Sequence, residues 1–132
     1  ERRVTVGRLG QAVPQDVCMV RADRSTELGN PYDMEGDERQ RDPVCAAHIA
    51  LLQVLDIESD GPVPTQAQVE AIGREWGVTG RIRAWNGRTV RRYVRELRTR
   101  SQSTRLRLDC HCAPLRCHCE ALAALCETGA YE

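Results

Sequence analysis

Three short stretches with strand character, two near the start of the chain and one near its end, frame a middle that repeats at helical spacing. That order restricts the fold more than any other feature. Residues 3–9 alternate Val4, Val6 and Leu9 with polar side chains, and the segment from Gly10 to Pro14 ends the pattern. Val17, Cys18, Met19 and Val20 follow in series, the pattern of a buried strand. Arg105, Arg107 and Asp109 alternate with Leu106 and Leu108, the period of a half-buried strand running into Cys110. Strands separated by helices predict parallel pairing. The expected fold is therefore α/β, a small Rossmann-like domain of two or three layers with a short, mainly parallel sheet.

The middle supplies the helices. Asp42 followed by Pro43 reads as an N-cap with proline at the first helical position. Val44, Ala47, His48, Leu51, Leu52 and Leu55 then recur at helical spacing to about Asp56, which makes His48 a core histidine. Thr65 can cap a second helix over 66–76 that Gly77 ends, and Val90, Tyr93, Val94 and Leu97 define a third. Residues 120–126 are apolar enough for a closing helix. At 132 residues the chain has the size of one domain, so 1–132 reads as a single unit, with 57–87 an insertion or extended helical connection within it.

Charge is segregated. All nineteen basic residues are arginine, and the net charge is zero. Yet residues 27–60 hold nine acids against two arginines, and residues 81–107 hold ten arginines against Glu96 alone. The two blocks either neutralise each other across the fold, or the basic one attracts an anionic partner. No apolar run approaches the roughly 20 residues that a membrane span needs. The first ten residues have no secretory apolar core, so a cytoplasmic setting is expected.

Chemistry concentrates in Cys110, His111, Cys112, Cys117, His118 and Cys119. Four of the seven cysteines fall within ten residues, too cramped for disulfides, so they read as reduced. Three readings stay open. Cys110, Cys112, Cys117 and His118 make a four-ligand nitrogen and sulfur set that suits zinc. Alternatively a thiolate, with Cys117 and His118 as the catalytic candidates, is activated at a helix N-terminus. The third reading makes the cysteines small buried hydrophobes. Arg116 stands at the C-x5-R spacing of a phosphatase loop, but the stretch has Pro114 and no glycine to bare its amides.

The tail Leu108-x-Cys110-x-Cys112-Ala113-Pro114-Leu115-x-Cys117-His118 resembles the ending of the domain-of-unknown-function 4326 family of bacteria and their phages. Gly29-Asn30-Pro31-Tyr32 resembles that family's Gly-Asn-Pro-aromatic motif, and Arg41-Asp42 its polar step into a helix. His111 and Cys119 depart from the family pattern, which has an aromatic residue and a glycine there. The resemblance implies a compact α/β domain in which the Gly-Asn-Pro loop and the cysteine-rich end meet around a pocket for a nucleotide, a base or a nucleic-acid end. In such a pocket Gly29, Asn30, Pro31, Tyr32 and Arg116 would bind the ligand, with Asn30 an amide donor and Asp42 an acid or helix cap. By itself the Gly-Asn-Pro run also reads as a tight turn.

A rival expectation rests on residues 68–97, which look like a helix-turn-helix with nine extra residues, 79–87, between its halves. On that reading Arg88, Arg91, Arg92 and Arg95 contact nucleic acid, and the chain is a DNA-binding accessory protein whose cluster only braces the fold.

Overall fold

The computed structural model describes residues 3–23, 25–110 and 119–127. Strands β1 (Val4–Arg8), β2 (Val17–Arg21) and β3 (Arg105–Cys110) form one parallel sheet in the order β1-β3-β2. The last strand in sequence is thus wedged between the first two. The register aligns Val4, Leu106 and Cys18 in one row and Val6, Leu108 and Val20 in the next. Because side chains alternate between faces along a strand, these six share one face. Against it pack α3 (Gly87–Ser101) and α4 (Cys119–Cys126), together with the C-terminal half of α1 (Arg41–Leu55). Leu52, Leu55, Val90, Val94, Leu97 and Leu122 complete this core. Of the two layerings expected, the fold takes the two-layer form.

The other face is crossed by the connection from β1 to β2. Arg107 donates to the carbonyls of Gln11 and Ala12 at 2.9 and 2.8 Å. It also forms a bidentate pair with Asp109, at 2.7 and 2.9 Å. A Cβ at Gly7 would lie 2.5 Å from Arg107 Cδ and 2.7 Å from Asp109 Oδ1, so the neighbouring strand can pass this pair only as glycine. Here the structure inverts a sequence expectation. The apolar run of β2, expected to be buried throughout, is an edge strand with Met19 42% exposed. Charged β3 is the centre, with Arg107 and Asp109 only 6% and 1% exposed. Mutual neutralisation and the two loop carbonyls make that burial tolerable.

The start of α1 also differs from expectation. Asp42 is not its N-cap. A 3-10 turn, Glu38–Gln40, capped by the Asp37 carboxylate on the Arg39 N–H at 3.0 Å, runs directly into Arg41. Pro43 still falls in the first turn, where a missing N–H costs nothing. Asp42, also in that turn, is exposed and complements the positive end of the helix dipole. By contrast α2 (Gln66–Glu75) begins as the sequence indicates, with a Thr65–Gln68 capping box, and is followed by Gly77 at φ 87°.

α2 packs chiefly against α1, and a second core of Tyr32, Val44, Leu51, Val69 and Val78 fills the space beside that contact. The stretch after α2 pairs with the Gly-Asn-Pro loop, through a Tyr32–Ile82 bridge and bonds from Asp33 N to Arg81 O (3.0 Å) and Arg83 N to Pro31 O (2.8 Å). Residues 78–86 are therefore structural partners of the loop, and α2 and α3 do not form a helix-turn-helix pair. Among the described residues no helix is long and apolar enough to cross a membrane.

Candidate functional site

Two neighbouring places hold the residues singled out by the sequence. The first is the carboxyl end of the sheet. Cys110 closes β3 and Cys119 opens α4, at 1% and 0% exposure. Both ends of the cysteine-rich run converge near Ala22, whose N–H donates to Asp109 O at 2.9 Å and whose carbonyl accepts from the Cys119 thiol at 3.9 Å. Cys112, Arg116, Cys117 and His118, with His111, lie outside the described residues. Cys18, Cys45, Cys110, Cys119 and Cys126 form no disulfide. Cys126, deep in the core, has its thiol pushed up to about 12 by burial. Among the described residues no three metal-ligating side chains are grouped.

Asp23, which the sequence reading passed over, also sits at this rim, 8% exposed. It takes a bidentate pair from Arg21 at 2.9 Å each, and bonds from the Ser25 N–H (3.2 Å) and hydroxyl (2.6 Å). The Arg21 guanidinium first, and Ser25 with it, hold the carboxyl well below the usual carboxylate range despite its partial burial. The signal was legible: an aspartate just past a strand, two residues before a serine, is an Asx-turn pattern.

The second place is the Gly-Asn-Pro loop. Asn30 is 5% exposed and its amide is committed, donating from Nδ2 to Val44 O at 3.0 Å and accepting the Tyr32 N–H on Oδ1 at 2.9 Å. It pins the loop to the first turns of α1. Tyr32 is fully buried, its hydroxyl donating to Val69 O at 2.6 Å, and burial raises its phenol above the ordinary value. Both residues brace the loop, and the side chain of Tyr32 belongs to the core. Gly29, Asn30 and Pro31 nonetheless line a cleft of about 440 Å³ whose other walls include Glu27, Arg83 and Trp85.

Gln66 shapes the far wall, donating to Arg83 O at 2.9 Å and accepting from Trp85 N at 3.1 Å. Arg83 reaches Asp33 through Nη2 at 3.3 Å. Its Nε and the indole Nε1 of Trp85 are buried without an acceptor among the described residues. Such orphan donors cost about 1–3 kcal/mol each. Asn86, also on the cleft, caps α3 by accepting the Thr89 N–H at 3.1 Å, so the positive end of that helix dipole points here. Asp42 does not line this cleft. Leu28, next to Gly29, belongs to the same core as Cys110 and Cys119. His48 is 1% exposed on α1, as a core histidine should be.

The arginines of α3 separate by face. Arg91 is 6% exposed and donates to the carbonyls of Leu55 and Gly61 at 2.8 and 2.9 Å. Arg95 holds Ile57 O, Ser59 O and the Asp60 carboxylate at 2.8–2.9 Å, and Arg98 pairs with Glu58. They tie down the chain leaving α1 and neutralise its acids. Arg88 and Arg92 remain exposed, Arg92 lying 5.6 Å from the centroid of the Tyr93 ring.

No curated protein and no solved structure matches the chain. Residues 8–128 match the model of a domain of unknown function, DUF4326, a span that takes in both the Gly-Asn-Pro loop and the cysteine-rich end. The chain belongs to the DUF4326 family.

Proposed function

We propose that the chain binds a nucleotide, free or at the end of a nucleic acid, in the cleft beside Gly29, Asn30 and Pro31, next to Leu28, which shares its core with Cys110 and Cys119. The supporting observation is the composition of the cleft. Its volume of about 440 Å³ is within the roughly 300–1,000 Å³ of small-molecule sites. Trp85 offers a surface for a base, while Arg83 and the N-terminal end of α3 offer positive potential for a phosphate. Asn30 serves this site as the pin that fixes the loop.

Zinc, held by Cys110, Cys112, Cys117 and His118, is part of the proposal. The donor set is right for that ion, and Cys110, 1% exposed at the end of β3, holds its sulfur away from solvent. Bound there, zinc would supply a Lewis acid at the carboxyl end of the sheet. Metal analysis of chelator-free protein with a free-thiol count should give about one zinc per chain and masked thiols; a metal-free protein with every thiol titratable removes zinc from the proposal.

The cleft itself is tested by titrating nucleoside monophosphates against tryptophan fluorescence and calorimetry. Trp85→Ala should weaken binding by about 1–3 kcal/mol, the worth of one stacked base, and Trp76→Ala, outside the cleft, should not. Because Trp85 also packs against both cores, Arg83→Ala serves as a second variant and should weaken phosphate-bearing ligands more than nucleosides. Binding indifferent to both Trp85 and Arg83 would exclude this cleft.

A further inference from the structure

We infer that the cleft and the outer face of α3 form one continuous track, and that its ligand is a single strand of nucleic acid, not a free mononucleotide. The inference rests on the cleft reading above and extends it to a substrate class. Asn86 both lines the cleft and caps α3, and two residues further on Arg88 opens a groove of about 310 Å³ along the helix, shared with Arg91, Arg92, Arg95, Glu96 and Thr99. Arg88 and Arg92 are one turn apart, about 6 Å along the axis.

Part of the charge on this groove, that of Arg88 and Arg92, is unspent. Arg91, Arg95 and Arg98 are committed to the 55–61 segment and to α4, where the Arg98 Nε donates to Leu125 O. Arg88 and Arg92 have no carboxylate partner among the described residues. They lie exposed on the same helix whose N-terminus faces the cleft. An anion bound only at the cleft would never reach them, whereas a strand with its terminal base against Trp85 carries further phosphates along α3. A duplex is a poorer fit, since its bases are stacked and paired and cannot lie on the indole without flipping out.

The test is fluorescence anisotropy with a labelled mixed-sequence octanucleotide, as DNA and as RNA, in competition with mononucleotides, a blunt duplex of the same sequence and polyglutamate. The octanucleotide should bind at least about tenfold tighter than mononucleotides, with an affinity that falls as salt rises. Arg88→Ala with Arg92→Ala should lower the salt slope of log K by about 1.4, roughly 0.7 per phosphate contact, and leave mononucleotide binding intact. Arg88→Glu with Arg92→Glu should abolish the length preference.

Equal affinity for mononucleotide and octanucleotide, with the arginine variants silent, would overturn the track and leave the cleft standing. Polyglutamate or duplex competing as well as the single strand would also overturn it. Octanucleotide binding that depends on Arg88 and Arg92 but not on Trp85 would overturn the cleft instead, and no binding of any probe would overturn both.

Discussion

The sheet carries the same three-residue arrangement twice, on neighbouring strands, and uses it for different ends. Arg107-Leu108-Asp109 lies at the centre and Arg21-Ala22-Asp23 runs off the end of β2, each forming a bidentate ion pair over two residues. The central pair has side chains 8% and 2% exposed, the rim pair 52% and 10%. Arg107 also binds the carbonyls of Gln11 and Ala12, so it holds the β1–β2 connection across the sheet. Arg21 pairs with Asp23, to which Ser25 also donates. Burial, not spacing, makes one pair part of the scaffold and leaves the other beside the site.

The same substitution at both pairs tests that contrast. Arg107→Met should destabilise by about 3–5 kcal/mol, because it leaves a buried carboxylate and two carbonyls without their donor. Asp109→Asn should fall in the same range or somewhat below, since it strands the guanidinium but leaves the loop bonds. Arg21→Met should cost much less than either, as is usual for a pair with one solvated partner. Urea midpoints of the three variants measure this order. Equal losses at Arg107 and Arg21 would mean that the crossing of the β1–β2 connection does not shield the central pair.

Much of this fold was legible in the sequence, and the parts that were not share a cause. Period alone located all three strands and the helices, and Thr65 correctly marked the start of α2. Period could not reveal strand order, because the apolar run of Val17–Val20 and the charged alternation of β3 suggest the opposite of their actual burial. That burial depends on a partner two residues away and on a glycine, Gly7, a hundred residues upstream in the adjacent strand. Asp42 looked like a cap because the 3-10 turn before it has no pattern of its own. At the candidate site the Gly29–Pro31 loop was legible, but the side chains opposite it were not. Trp85 and Arg83 come from a segment read as a connection, and it is the Tyr32–Ile82 bridge that brings them to the loop.

The smallest effect concerns pH and separates the rim pair from the centre in another way. Asp23 has a carboxyl pKa below its unfolded value of about 3.9, first through Arg21 and then through Ser25. A depressed folded-state pKa contributes stability that is fully present above the unfolded value and declines as pH falls through it towards the folded one. The penalty of Arg21→Met should therefore be constant from neutral pH down to about pH 5 and shrink below about pH 4, as protonation of the unfolded chain removes the advantage that Arg21 confers. Stability curves of wild type and Arg21→Met measured over that interval should converge on the acid side. Curves that stay parallel down to about pH 3 would show that Arg21 contributes by packing over the rim and not through the charge of Asp23, which would make the rim pair no more electrostatic than any other surface contact.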